Sequence, residues 1–195
     1  VRSEIGTYYL SNHEFQAVPV LNYHEINSWQ LTVYEEQFTT PEWFKGGIMY
    51  QIFPDRFKKS DQYTAKKAAN EDIRYRHEDW DELPQSSITH ENYKAQDFFL
   101  GNLKGIEEEL EHFKALNVNC IYLNPIMESP DNHRYSTADY FNVDPYLGTN
   151  EDFKKLCAKF KQHGIEIILD GVFSHTGDDS IYFNKQSHYD SVGAY

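Results

Sequence analysis

The segment around residue 170 carries the side chains best suited to chemistry. A mostly apolar run at residues 165–169 ends in Asp170, and the chain continues through Ser174 to His175. Side chains at the carboxyl end of a buried parallel strand point into the mouth of an α/β sheet or barrel. The segment therefore predicts a ligand-binding rim. The structural alternative is that Asp170 caps the following turn and His175 is an ordinary hydrogen-bonded histidine.

A second polar group lies in one predicted loop, at Asn132, His133, Arg134 and Tyr135. Across the whole chain, a content of 15 Tyr and 13 Phe suits a protein that handles sugars, because the C–H faces of sugars stack on aromatic rings with a polar tip, although packing of β-structure explains most of these residues. Taken alone, however, these four residues are more typical of an ordinary exposed loop.

The remaining carboxylates and histidines form no catalytic pattern. Asp55 lies beside Arg56, while Asp139 and Asp144 follow a loop, so we predict structural ion pairs and turn caps for these three aspartates. The nine histidines show neither an HExxH spacing nor a two-histidine, one-carboxylate spacing. The sequence therefore disfavours metal catalysis.

Three short apolar segments must position these groups. Residues 47–54, 119–125 and 165–170 are predicted to be buried strands, with a helix before the second and another before the third. This alternation predicts a parallel sheet covered by helices, with right-handed crossovers. No glycine-rich turn follows any of the strands, so dinucleotide binding has little support.

Both helices are indicated by apolar periodicity. The first is predicted as one amphipathic helix over residues 103–116, capped by Asn102, with the acidic residues at 107–111 on a solvated face. The second begins at Asn150 and ends before Gly164, which is placed as the first residue beyond the helix.

The rest of the chain shows less regular patterning. Residues 1–44 contain strand-like segments at 7–10 and 29–34 and resemble the end of a β-domain, with 41–44 as the junction. Residues 58–97 form a long polar stretch, and a connection of this length is usually functional or disordered.

Composition excludes several function classes. The chain has 18 Lys and Arg against 31 Asp and Glu, so its formal charge of −13 disfavours nucleic acid and anionic membrane partners. Cys120 and Cys157 have no metal or redox spacing and are interpreted as packing thiols. The chain shows no hydrophobic signal core or membrane-spanning run, and we expect a cytoplasmic protein.

Four motifs follow one another along the chain: YQIFPDRF at 50–57, GNLKG at 101–105, NHRYSTADY at 132–140 and DGVFSH at 170–175. Together they resemble the α-amylase family, glycoside hydrolase family 13. The nearest branch comprises neopullulanases, cyclomaltodextrinases and maltogenic amylases, whose members carry an amino-terminal β-sandwich before an eight-stranded barrel.

The resemblance implies a fold and a domain division. The fold is α/β, with the first three β/α units of a TIM-type (β/α)8 barrel preceded by the end of an amino-terminal β-sandwich domain. Residues 1–44 would be the end of that β-domain with its linker. Residues 45–195 would be the first part of the catalytic barrel, running into the region after the third strand.

The resemblance also implies roles for individual residues. Tyr135 would stack on the sugar in the cleavage subsite, with Asn132 and His133 as further substrate-binding residues of the same loop. His175 would hydrogen-bond the hydroxyls of that sugar. Asp170 would orient the neighbouring catalytic groups, so Asp170 and His175 are the catalytic candidates.

The implied reaction is retaining hydrolysis of α-glucosidic bonds in maltodextrins, cyclodextrins, starch or pullulan. It needs one carboxylate as nucleophile and a second carboxylic acid as proton donor. In the family these come from the fourth and fifth barrel strands, and no position of this chain matches them. We therefore expect this chain alone to be inactive, and marginally stable or self-associating.

Partners and cofactors follow from the same resemblance. The partner would be an α-glucan oligosaccharide, and the full-length protein could form a homodimer. No cofactor is predicted with certainty. A calcium ion is left open but is not predicted. Ser174 stands where many members have asparagine, and a serine hydroxyl is a poorer calcium ligand than an amide oxygen. Lys58 and Lys59 would repel a cation from the loop where that branch commonly binds it.

Two other functions stay open. A protein of the α-amylase fold that has lost its catalytic carboxylates would be a carbohydrate-binding or scaffold protein. An unrelated acidic α/β protein would require the four motifs to be accidental. The residues after a fourth and a fifth strand would distinguish the enzyme from the binding protein.

Overall fold

The structure is a computed structural model that describes residues 32–195 and, before them, four two-residue strands. Contacts divide the chain into two compact units, Val1–Thr40 and Pro41–Tyr195. In the first unit, β1 pairs with β2 and β3 with β4, both antiparallel. These strands are β1 (Arg2–Ser3), β2 (Gly6–Thr7), β3 (Tyr9–Leu10) and β4 (Phe15–Gln16).

Two strand predictions fall in this first unit. β2 and β3 include parts of the predicted strand at 7–10, whose Tyr8 lies outside the described residues. Residues 29–31 of the second predicted strand also lie outside them. Residues 32–34 are described and pair with no described strand. They form no strand, and that part of the prediction is wrong.

The second unit carries the candidate site. It contains, in chain order, β5 (Ile48–Ile52), β6 (Tyr75–Arg76), β7 (Asp97–Phe98), α1 (Leu103–Glu108), α2 (Leu110–Ala115), β8 (Val118–Leu123), β9 (Met127–Glu128), β10 (Asp139–Val143), α3 (Asn150–Gln162) and β11 (Glu166–Leu169), with 3-10 helices at Glu42–Phe44, Pro54–Arg56 and Glu71–Ile73.

The predicted parallel sheet is confirmed. Its order is β11-β8-β5, and both pairings are parallel. Ile52 pairs with Leu123, which pairs with Leu169, so the three strands end at the same level. The helices α1 to α3 lie between the strands in sequence, as expected of β/α units. These units are consistent with part of an α-amylase barrel.

A single apolar core joins the sheet to the helices. Alternate residues of a strand face opposite sides of a sheet, and Ile121 and Leu123 of β8 face the helices. They pack with Ile106 of α1, Phe113 of α2 and Phe160 of α3, all less than 2% exposed.

Two of the three strands, β5 and β11, are less buried than predicted, whereas β8 is mostly buried. In β5, Ile48 and Met49 are 50% and 43% exposed, and only Ile52 is buried. β11 is half-buried along its whole length. The reason is geometric, because both strands are edges of the described sheet and each has only one described neighbour, β8.

The first predicted helix is interrupted. Glu109, at φ −86° and ψ 16°, separates α1 from α2. Its carboxylate pairs with Lys58, and Glu108 accepts a 2.6 Å hydrogen bond from Ser60, whereas we predicted a solvated acidic face. Both differences coincide with contacts to a loop that lies 51 and 48 residues earlier, and the spacing of apolar residues does not report such contacts.

The helix ends agree with the sequence. Asn102 Oδ1 accepts a 2.8 Å hydrogen bond from the Gly105 nitrogen and so caps α1. Thr149 and Asp152 form a capping box at the start of α3. Gly164, at φ +73°, follows α3 in the left-handed conformation that glycine adopts most readily.

The long polar stretch at 58–97 is ordered around one buried carboxylate. Asp97 Oδ2 lies 3.1 Å from His77 Nε2 and 3.2 Å from Arg56 Nη2. Burial opposes ionisation of Asp97, but His77 and Arg56 outweigh it and keep its pKa below the usual range. Hydrogen bonds to this one carboxylate therefore organise residues 58–97, which show no apolar periodicity. No helix among the described residues is long and apolar enough to cross a membrane.

Candidate functional site

Four polar side chains line the carboxyl end of the parallel sheet. Gln51 pairs in register with Tyr122, while Asn124 and Asp170 each follow the last residue of their strand. The ladder continues into these positions, since Asn124 N donates to Ile52 O and Asp170 N donates to Leu123 O, both at 3.0 Å. The alternation of strand residues places the four side chains on one face of the sheet.

Tyr135 leans over this rim from the loop between β9 and β10. Its hydroxyl donates a 2.7 Å hydrogen bond to Asp170 Oδ2. This hydrogen bond and partial burial raise the pKa of Tyr135 to about 12. Hydrogen bonding to Asp170 also raises the pKa of Tyr122. With Tyr135 37% exposed, its ring is open to a ligand while its hydroxyl is fixed.

Two histidines hold the backbone of Tyr135. His133 Nδ1 lies 3.1 Å from the Tyr135 nitrogen, and His175 Nε2 lies 3.1 Å from the Tyr135 carbonyl oxygen. Because a carbonyl oxygen only accepts, His175 carries a proton on Nε2. Its Nδ1 is then free to accept from Ser174 Oγ at 3.0 Å.

The preceding loop residue anchors the segment in the interior. Arg134 adopts a left-handed conformation at φ +62°, and its nitrogen donates a 2.6 Å hydrogen bond to Asp131 Oδ1. Its fully buried guanidinium lies 3.5 Å from Asp144 Oδ1. Asp144 also accepts a bidentate pair of hydrogen bonds from the guanidinium of Arg74. Burial opposes ionisation of Asp144, but the two guanidiniums outweigh it and lower its pKa.

The structure places Asn132 below the rim. Its side chain is 5% exposed, and its amide nitrogen donates to the Asp97 carbonyl and carboxylate at 2.8 and 2.9 Å. Asp170, His175, Tyr135 and His133 are therefore brought together, whereas Asn132 joins the buried polar network under the loop.

The structural roles predicted for the other aspartates are observed. Asp55 Oδ2 pairs with Arg56 Nε at 2.7 Å and is fully buried. Asp139 accepts from the backbone nitrogen of Phe141 at 2.8 Å, which is a turn-capping bond. Asp144 is the carboxylate of the buried arginine pair. Of these four aspartates, Asp170 is thus the one that faces the rim.

This arrangement suits recognition of a neutral polyhydroxylated ring. It offers an aromatic face at Tyr135, a carboxylate acceptor at Asp170 and imidazoles at His133 and His175. A retaining displacement at an anomeric carbon uses two carboxylates about 5–5.5 Å apart, and the described rim supplies one. No group of three or more His, Cys, Asp or Glu within the described residues is arranged to hold a metal ion.

Sequence reasoning missed Gln51, Tyr122 and Asn124 as rim residues. Each carried the signal used for Asp170, a polar side chain near the carboxyl end of an apolar strand. Pairing register was the missing information, because only the register shows which of these side chains face the loop of Tyr135.

Comparison with known proteins identifies the family of the chain. The model of the alpha amylase catalytic domain matches residues 51–193. The chain is 48% identical over 177 residues to an amylopullulanase from Thermoanaerobacterium saccharolyticum, covering 85% of this chain and 14% of that protein. It is 37% identical over 163 residues to neopullulanase 2 from Thermoactinomyces vulgaris, covering 79% of this chain and 25% of that protein.

A solved structure supports the same relation. The ligand-free cyclic alpha-maltosyl-(1→6)-maltose hydrolase from Arthrobacter globiformis is similar with a TM-score of 0.61 and 36% identity, covering 80% of this chain and 32% of that one. The chain spans a quarter or less of the two curated relatives named above. The sequence motifs, the parallel sheet and the family match agree, and the chain belongs to the alpha-amylase family through its catalytic domain.

Proposed function

We propose that this chain is part of a retaining glycosidase that hydrolyses α-glucosidic bonds in maltodextrins, cyclodextrins, starch or pullulan. Tyr135 stacks on a glucosyl ring, His133 lies at the edge of that ring, and Asp170 orients the catalytic groups. His175 hydrogen-bonds the sugar by exchanging its Ser174 contact for a sugar hydroxyl. Asn132 acts indirectly, by fixing the loop that carries Tyr135 to Asp97.

One observation carries the proposal. The ring of Tyr135 is exposed, yet its hydroxyl is bonded to Asp170 and its backbone to two histidines. A side chain held this firmly loses little rotamer freedom when it packs on a ligand, so the entropic cost of binding is small. The relatives are named for the hydrolysis of pullulan and of a cyclic maltosyl sugar, which supports an α-glucan as the substrate class.

The division of labour along the chain is part of the proposal. Residues 45–195 would supply the first three β/α units of a TIM-type barrel, and residues 1–44 the end of a β-sandwich domain. The nucleophile and the proton donor would come from further barrel strands of the full-length gene product. We further propose a cytoplasmic protein that could dimerise through its amino-terminal domain.

Reducing-sugar release tests the proposal. The 195-residue chain and the full-length gene product are each incubated with maltodextrin, β-cyclodextrin and pullulan. We expect activity only in the longer protein, and the substrate that is cleaved gives the preference. Activity in the short chain would contradict the assignment of the carboxylates to other strands. Activity in neither would favour the carbohydrate-binding or scaffold function.

A further inference from the structure

We infer that Gln51 and Asn124 are positioning residues that orient Tyr135 and Asp170 through a one-directional chain of hydrogen bonds. Gln51 Nε2 donates to Asn124 Oδ1 at 2.8 Å, and Asn124 Nδ2 donates to the Tyr135 hydroxyl oxygen at 3.5 Å. The chain ends where Tyr135 donates to Asp170. The inference rests on the proposed function, because it assigns these amides a role in sugar hydrolysis.

The direction of the chain follows from the chemistry of its members. A carboxylate can only accept, so Tyr135 must give its single proton to Asp170. The hydroxyl oxygen then has lone pairs to accept from a further donor. Only the amide nitrogen of Asn124 can provide that donor, since its amide oxygen has no proton.

The end of the chain at Asp170 decides which way both amides point. Because the Tyr135 proton goes to Asp170, Asn124 turns Nδ2 toward Tyr135 and Oδ1 toward Gln51. Gln51 then matches this orientation by donating from Nε2 to Asn124 Oδ1 at 2.8 Å. Bonds aligned in one direction polarise each other, so each link strengthens the next.

Sheet register makes the chain rigid at its origin. Gln51 lies inside β5, and the Asn124 nitrogen extends the ladder between β5 and β8. Tyr135, in contrast, lies on the loop between β9 and β10. The two amides thus give the Tyr135 hydroxyl a second contact with the sheet, besides its bond to Asp170.

Position matters because catalytic geometry tolerates little displacement. A 1 Å misplacement of a reacting or binding group can lower the rate by about 100-fold. The Asn124 contact at 3.5 Å is long for a hydrogen bond and can shorten when a sugar packs on the ring. We therefore expect the amides to affect both the affinity and the rate.

A fluorine probe tests the hydrogen-bond chain without any assay of activity. 3-Fluorotyrosine is placed at position 135 of the full-length gene product, and its 19F signal is compared in Asn124→Ala, Asn124→Asp and Gln51→Ala. We expect the signal to shift and broaden in all three. Gln62→Ala, at an exposed glutamine outside the rim, is the matched control and should leave the signal unchanged.

Kinetics then tests the role in hydrolysis. With the α-glucan that the parent protein cleaves, Asn124→Ala should lower kcat/KM by about 10- to 100-fold, by raising KM as well as lowering kcat. Loss of folded protein alone would lower the apparent kcat and leave KM unchanged. Asn124→Asp keeps the acceptor for Gln51 but cannot donate to Tyr135, so we expect it to resemble Asn124→Ala rather than the parent.

The outcomes separate the two proposals. A parent protein that cleaves no α-glucan refutes the proposed function, and the fluorine signal still decides whether the chain of hydrogen bonds exists. An active parent with an unshifted fluorine signal, or an Asn124→Asp variant with parental KM and kcat, overturns the inference.

Discussion

The hydroxyl of Tyr135 and the carboxylate of Asp170 are 2.7 Å apart, although 35 residues separate them in the sequence. One belongs to a loop and the other ends a strand of the parallel sheet. Their hydrogen bond joins the loop to the sheet within the candidate site. It fixes the edge of the aromatic ring and leaves its face open.

The first prediction concerns the ionisation of Tyr135. Asp170 raises the pKa of Tyr135 to about 12, mainly through the hydrogen bond between them. In Asp170→Ala we expect this pKa to fall toward the ordinary value of about 10. NMR of 13C-labelled tyrosine, with Tyr135→Phe to assign the signal, measures it. The exposed Asp178→Ala is the control, and an unchanged Tyr135 titration in Asp170→Ala would refute the coupling.

The second prediction concerns the buried ion pair under the loop. In Asp144→Asn the side chain keeps its shape, but Arg74 and Arg134 lose their shared buried carboxylate. We expect the free energy of unfolding to fall by about 3–5 kcal/mol. Urea unfolding measures it, with Asp178→Asn as control. That control breaks the solvent-exposed pair with Lys185 and should cost less than about 1 kcal/mol.

The third prediction concerns pH and the carboxyl-terminal segment. His188 lies 2.9 Å from Asp179 and 3.3 Å from Asp72, and hydrogen bonding to Asp179 raises its pKa. A raised pKa means that protonated His188 stabilises the fold below its unfolded pKa of about 6.5. This contribution is lost as the pH rises through the folded pKa.

We therefore expect stability to decline as the pH rises above about 6.5, the unfolded pKa, and His188→Gln to flatten that decline. Thermal unfolding at a series of pH values measures it. An identical pH profile in the parent and in His188→Gln would contradict the assignment to His188.

The fourth prediction opposes helix propensity. Alanine normally stabilises a helix relative to glycine by about 0.5–1 kcal/mol. At Gly105 in α1, however, a Cβ atom would lie 2.2 Å from the backbone oxygen of Lys58. We expect Gly105→Ala to destabilise the protein by about 1–3 kcal/mol. Urea unfolding decides the sign, and a gain in stability would contradict the close approach of α1 to the Lys58 loop.

The sheet and the helix ends could be predicted from the sequence because local signals determine them. Apolar runs between breakers gave the strands β5, β8 and β11, and Asn102 and Gly164 marked helix ends by their capping chemistry. The interruption at Glu109 could not be predicted. It coincides with an ion pair to Lys58, a contact between residues far apart in the sequence.

The site was predictable to a similar extent. Asp170, His175, His133 and Tyr135 come together as a rim, and the sequence singled out all four by residue type and by family motifs. We predicted Asn132 at the rim, but the structure buries it. The sequence does not show that its amide nitrogen donates to Asp97, 35 residues away. Gln51 and Asn124 were missed because strand register decides which side chains face the loop.

The most direct test of the account is the activity of Tyr135 variants in the full-length gene product. Tyr135→Ala removes the ring, and Tyr135→Phe removes only the hydroxyl bonded to Asp170. On the α-glucan that the parent cleaves, we predict that kcat/KM falls by about 100-fold in Tyr135→Ala and by about 10-fold in Tyr135→Phe, with folding unchanged. A Tyr135→Ala variant that retains the parental kcat/KM would contradict the claim that this rim binds the sugar.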